Sequence, residues 1–227
     1  MKQIKEAFAD PETVAHYAEG PPRLVPGYFG MQRMTTLLLA EHVAEEGRVL
    51  VLGAGGGLEL KVIAEAHPKW SLHGIDPSAA MLNVAVQVLG PLASLVTLQE
   101  GTIDDAPLGP FDGATCLLTM HFLELDVRRR TVAEVRRRLK PGAPFIVAHF
   151  SIPNGVGERD LWMSRFTRFA IASGIEPKKA ETARLGIGKK LPILTPEQDE
   201  AILREAGFSN VSLFYAGFTF RGWVGYA

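Results

Sequence analysis

Cysteine is almost absent: the chain of 227 residues has one, Cys116. A single thiol excludes an intramolecular disulfide framework and suits a reducing compartment. Set in the apolar run 114–118, it reads as a buried structural group rather than a nucleophile. Long hydrophobic runs are missing too. No stretch approaches the roughly 20 apolar residues that cross a bilayer. The first residues, with Lys2, Lys5, Glu6 and Asp10, have no signal-peptide core. Net charge is lacking as well, since 24 basic against 25 acidic side chains leave −1. That balance gives no electrostatic case for nucleic acid or acidic surfaces as partners. No repeat or low-complexity tract appears, and no metal-ligand set is assigned. The expectation is a soluble, cytoplasmic protein with one core.

Glycine, by contrast, is concentrated. Val49-Leu50-Val51-Leu52 reads as a buried strand, and four of the next five residues are glycine (Gly53, Gly55, Gly56, Gly57). Leu58, Leu60, Val62, Ile63 and Ala66 then resume at helical spacing. A strand turning on glycines into a helix leaves backbone N–H groups bare and lets a ligand lie on the backbone. The run 71–76 is a second strand closing on Asp76, placed to accept hydrogen bonds from ribose hydroxyls.

The alternation continues. Pro77-Ser78 opens a helix through Met81 and Leu89; 96–100 is strand three, 111–120 strand four, 127–139 a helix closed by Pro141-Gly142, and 143–150 strand five. This rhythm predicts an α/β, parallel, doubly wound sheet. Ahead of it, 34–45 predicts a helix, and residues 1–32, with His16, Tyr17 and Tyr28, a lid. Residues 33–150 are the core. From 151 to 194 the rhythm stops, which marks a helical cap insertion. Thr195-Pro196-Glu197-Gln198 opens the last helix as a capping box, and 211–217 and 220–227 end the chain as two antiparallel strands.

These motifs together resemble the class I S-adenosyl-L-methionine (SAM)-dependent methyltransferases, whose first motif, V-L-D-L-G-x-G-x-G, is matched at 49–57 with Val51 in place of the acidic residue. The similarity is nearest to the branch of carboxy-SAM synthase and small-molecule methyltransferases, through Val25-Pro26-Gly27-Tyr28, Thr119-Met120-His121-Phe122-Leu123 and Leu139-Lys140-Pro141-Gly142. The resemblance implies a Rossmann-like, mostly parallel, seven-stranded sheet and SAM as cofactor. Tyr28 would approach its methionyl end, with Gly53, Ala54, Gly55 and Gly57 beneath and Thr119 near by. Asp76 would hold the ribose, with Pro77 and Met81 on the adenine face. Thr102 and Ile103 would flank the ring, and Asp104 would read its amino group.

The reaction expected is methyl transfer to a small-molecule acceptor. His121 is the first candidate general base and His149 the second; His42, His67 and His73 read as structural. The carboxy-SAM synthase alternative expects an asparagine and an arginine where Leu117 and Ile202 stand, and an apolar side chain does not replace a guanidinium. A SAM-binding protein without catalysis is a further alternative; a dehydrogenase would want a glycine at Leu58. Lys178, Lys179, Arg184, Lys189 and Lys190 in the cap suggest an anionic acceptor. Arg128-Arg129-Arg130 and Arg136-Arg137-Arg138 read as a solvated helix face. A homodimer is the protein partner this reading allows.

Overall fold

A computed structural model describes residues 19–227. The part of the expected lid that holds His16 and Tyr17 lies outside the described residues. Seven strands form one sheet: β1 (Arg48–Leu52), β2 (Ser71–Asp76), β3 (Val96–Glu100), β4 (Gly113–Leu117), β5 (Pro144–Phe150), β6 (Ser209–Gly217) and β7 (Phe220–Tyr226). Their order is β3-β2-β1-β4-β5-β7-β6. The first five are parallel, and β7 runs antiparallel to both β5 and β6. Strand order reverses between β1 and β4, so a crevice opens at their carboxyl ends, where ligands of such sheets bind.

Alternation along β1 builds both cores. Leu50 and Leu52 face a layer with Ile75, Phe111, Phe145 and Trp223, beneath α5 (Leu125–Arg138) and α8 (Pro196–Glu205). Val49 and Val51 face the opposite layer, covered by α2 (Tyr28–Ala40), α3 (Leu58–Ala66) and α4 (Ala79–Leu89). Each fully buried Leu or Phe side chain contributes roughly 1.5–3 kcal/mol. A short α1 (Gly20–Leu24) precedes α2.

The insertion consists of α6 (Glu158–Ala172) and α7 (Pro177–Lys190). Its ends meet where Ile152 N–H donates to Leu194 O at 3.2 Å, so the segment leaves and rejoins the core at one point. Met163 and Phe166 of α6 pack with Tyr28, Leu117, Phe150 and Phe220 over the carboxyl ends of β4 and β5. The last helix starts as expected: Thr195 accepts from Gln198 N–H, and Gln198 accepts from Thr195 N–H.

One helix is displaced from its expected bounds. The segment expected at 34–45 runs from Tyr28 to Ala40, because Gly27, at φ +69°, turns the chain into the helix six residues earlier. The boundary set at residue 32 therefore falls inside α2.

Candidate functional site

The turn after β1 is tighter than a ligand cradle alone requires. Gly53, Gly55 and Gly57 all have positive φ. A Cβ on Gly53 would lie 2.1 Å from Thr119 Oγ1, and one on Gly57 would lie 2.8 Å from the Ala85 backbone. The expected bare amides are largely engaged. Gly53 and Ala54 N–H both donate to Ile75 O, and Gly57 N–H donates to Ala54 O. Gly55 N–H donates to Asp76 Oδ2 at 3.0 Å, and Ser78 N–H to Asp76 Oδ1 at 2.9 Å. Burial raises the Asp76 pKa above its ordinary value, while the two amides oppose that rise. Each carboxylate oxygen keeps a further lone pair for a hydroxyl.

Beside this latch lies a cleft of about 520 Å³, part of it open to solvent. Of the residues expected at the cofactor, Gly53, Pro77, Thr102, Ile103, Asp104 and Thr119 line it. Its walls are mostly apolar. Thr102 N–H donates to Asp105 Oδ2 at 2.8 Å, which holds the turn after β3. Asp104 Oδ2 is paired with Arg130 at 2.5 Å, so the carboxylate expected to read an adenine amino group is shared with a guanidinium. Ala54, Gly55, Gly57, Asp76 and Met81 stand behind the cleft rather than in its lining; Met81 is buried, its N–H donating to Ser78 Oγ at 3.3 Å. Tyr28 is buried between α2 and the cap, and its hydroxyl accepts from Gln32 Nε2 at 2.7 Å.

Sequence reasoning missed Leu52, Gly101, Leu123, Val127, Arg130 and Thr131, which complete the lining. Leu52 and Gly101 directly follow from strand ends. The other four needed the knowledge that α5 begins at the cleft.

Neither candidate base faces the cleft. His121 is buried, and its Nδ1 accepts from Phe150 N–H at 3.3 Å, which puts the proton of the neutral ring on Nε2. Burial, with Arg128 near by, pushes its pKa down to about 3. His149 lies in the core under α5 and α8, with Nε2 3.4 Å from Asp199 Oδ1. Burial and then Arg128 hold it well below its ordinary pKa. Two neutral, weakly basic imidazoles are poor proton acceptors.

The arginine runs are not uniformly solvated, contrary to expectation. Arg128 and Arg138 are 1% and 2% exposed. Arg128 binds Asp199 Oδ1 at 2.6 Å, Pro192 O at 2.9 Å and Leu123 O at 3.3 Å. It thereby ties the end of the cap to the cleft wall. Desolvation raises the Asp199 pKa to about 6 against the pull of that guanidinium. In the cap, Lys178, Lys179, Lys189 and Lys190 are exposed and Arg184 is held by Glu181, and none of the five lines the cleft. Among the described residues, no cluster could hold a metal ion and no helix is long and apolar enough to cross a membrane.

A sheet of this order, with a glycine turn after β1 and a carboxylate closing β2, has the class I, Rossmann-like methyltransferase architecture. Residues 50–145 match the model of a methyltransferase domain family. Over its whole length the chain is 24% identical to the carboxy-S-adenosyl-L-methionine synthase of Chromohalobacter salexigens, covering 85% of that protein. Over 55% of its length it is 30% identical to the ubiquinone/menaquinone biosynthesis C-methyltransferase of Syntrophotalea carbinolica, covering 54% of it. Human N-acetylserotonin methyltransferase, solved in complex with SAM, superposes with a TM-score of 0.67 at 13% identity over 98% of this chain; the chain spans 58% of that structure. Residues 50–145 thus carry a methyltransferase domain, on a fold shared with solved SAM-dependent methyltransferases.

Proposed function

We propose that this enzyme methylates a small molecule held between the sheet edge and the cap of residues 151–194. The observation that carries the reading is the latch from Gly55 to Asp76 beside an apolar cleft. A glycine turn without Cβ atoms, a ribose-accepting carboxylate and apolar walls for a base fit one nucleoside cofactor. SAM, when bound there, supplies a methyl group on a sulfonium ready for in-line displacement. The chain's own part is to bind, align and exclude water. Such alignment is worth up to roughly 7–11 kcal/mol of barrier in the best-oriented cases.

The acceptor end of the site is apolar: Leu117, Met163 and Phe166 are buried there, beside Tyr28. Leu118, at the end of β4, has φ +57°, a conformation that costs of order 1–3 kcal/mol and tends to sit where a fold supports chemistry. With both histidines neutral and turned away, neither His121 nor His149 takes the acceptor's proton in this reading. The exposed cap lysines supply no specific case for an anionic acceptor.

Calorimetry with SAM and with NAD tests the cofactor, and methyl release from labelled SAM over an acceptor panel tests the reaction. SAM binding lost in Asp76→Ala is the expected result; retained affinity overturns the placement.

A carboxy-SAM synthase reading draws on the full-length likeness to a relative of that name. It needs a guanidinium in α8, where Ile202 is buried in the core and Arg204 is occupied by Glu200 and Val211 O. Methyl transfer is the better reading.

A further inference from the structure

Glu59 is a buried carboxylate outside the cleft lining. It stands in the first turn of α3, 8% exposed, and its Oε1 has no hydrogen-bond partner. No cation pairs with it among the described residues, and no charged group contributes to its pKa. Its neighbour is Thr115 on β4. That hydroxyl draws the carboxyl pKa downward, yet Thr115 Oγ1 itself makes no hydrogen bond of good geometry. Desolvation outweighs it and raises the pKa to about 7. A carboxylate withdrawn from water without a partner is costly, and Glu59 Oε1 and Thr115 Oγ1 are both buried without a hydrogen bond.

The strand register locates this carboxyl. Val51 and Thr115 are partners across β1 and β4, so their side chains leave the same face of the sheet. That is the face α3 covers, with Leu60 and Ile63 packed on Val49 and Val51. Glu59, reaching Thr115 from α3, therefore sits beside Val51. Position 51 is where the methyltransferase motif carries its acidic residue, and Gly53 follows two residues later. One carboxylate is missing from β1, and an orphaned one arrives at the same spot from the neighbouring helix.

We propose that Glu59 receives the α-ammonium group of the bound cofactor, supplying from α3 the negative charge that Val51 cannot supply from β1. The proposal rests on the SAM reading above. It makes Glu59 a binding residue for the amino-acid end of the ligand, with no part in recognising the nucleoside. An ammonium would give Oε1 a charge-assisted hydrogen bond and supply the counter-charge the pocket lacks.

The test compares S-adenosylhomocysteine with 5′-methylthioadenosine, which keeps the nucleoside and sulfur but has no amino acid. In Glu59→Gln, calorimetry is expected to show S-adenosylhomocysteine weakened by about tenfold or more, with 5′-methylthioadenosine changed by less than about twofold. Equal losses for both ligands, or no loss for either, overturn the proposal. If the wild-type protein binds neither ligand, the SAM reading itself fails, a result distinct from any behaviour of the variant. Should Glu59→Gln not fold, the wild-type protein is titrated with S-adenosylhomocysteine and its analogue lacking the α-amino group. A preference of about tenfold or more for the amino form upholds the proposal, and equal affinity overturns it.

Discussion

Gly55 and Asp76 are joined by one hydrogen bond of 3.0 Å, from the glycine amide to carboxylate Oδ2, and it links the turn after β1 to the end of β2. The same carboxylate caps the turn into α4 through Ser78 N–H at 2.9 Å. Asp76 thus positions the turn, and in the proposed function it also accepts the ribose. Asp76→Asn removes one acceptor oxygen and the charge. Hydrogen bonds to charged groups contribute about 1.5–3 kcal/mol each. The expected outcome is a loss of that order in stability by urea unfolding, together with loss of SAM affinity by calorimetry.

Gly53 is fixed by what stands opposite it. Its φ of +74° is strained for any L side chain, and a Cβ there would collide with Thr119 Oγ1 and Cγ2. Gly53→Ala is expected to destabilise by about 1–3 kcal/mol and to weaken SAM binding, because Thr119 lines the cleft and must move. Gly53→Ala with Thr119→Gly, which removes the clashing side chain, should recover part of both losses. Thermal unfolding and calorimetry on the two variants check this.

The sequence pattern carried the sheet well and the site in part. Strand β2 is found at its expected bounds, 71–76, because a short apolar run between Trp70 and Pro77 leaves little freedom of register. The two helices within 151–194 showed in the sequence only as an interruption of rhythm. The start of α2 was not, because Pro26-Gly27 looks like a break, whereas in three dimensions the left-handed Gly27 delivers the chain into the helix. Glycine density marked the turn whose Gly53 lines the cleft but misled on the amides, which serve the Ile75 carbonyl and Asp76. The arginine runs show the limit most clearly. Charge spacing cannot reveal that Arg128 turns inward, since its partners Asp199 and Pro192 are 71 and 64 residues away.

Arg128 gives a prediction about the cap. Its guanidinium joins α5 to α8 and to the end of the insertion, and both it and Asp199 have side chains only 2% exposed. Removing one partner of a buried pair leaves an uncompensated charge and typically costs about 3–5 kcal/mol. Arg128→Met is expected to lose stability of that order, and Arg128→Met with Asp199→Asn to lose less than the sum of the single changes. Faster proteolysis within residues 151–194 of Arg128→Met should accompany the loss, because Pro192 O loses its donor.

His121→Asn tests the reading of the buried imidazole. Its Nδ1 is already an acceptor for Phe150 N–H, a role an amide oxygen can take over. Methyl transfer should survive in His121→Asn, with kcat lowered by less than about tenfold, whereas loss of a general base typically costs about 10²–10⁴-fold. Steady-state kinetics with the acceptor found by screening decides between them.

The cost of burying Glu59 should be visible as a pH effect on the ligand-free protein. Its carboxyl titrates at about 7 in the folded state against 4.5 in the unfolded chain. Between those values the folded protein holds a proton that the unfolded chain has released, so stability supplied by this group falls as pH rises from 4.5 to 7 and is lost above that. Glu59→Gln, which cannot ionise, escapes the loss. The difference in stability between variant and wild type should therefore grow in the variant's favour by about 3 kcal/mol from pH 4.5 to pH 8, since holding one proton more than the unfolded chain is worth about 1.4 kcal/mol for each pH unit crossed. Urea unfolding at each pH measures it. Saturating S-adenosylhomocysteine should shrink the variant's advantage at pH 8, since an ammonium beside Glu59 favours the ionised carboxylate and binds the wild-type protein more tightly. If the ligand leaves the advantage untouched, the buried carboxyl is only a destabilising core residue and the ammonium is held elsewhere.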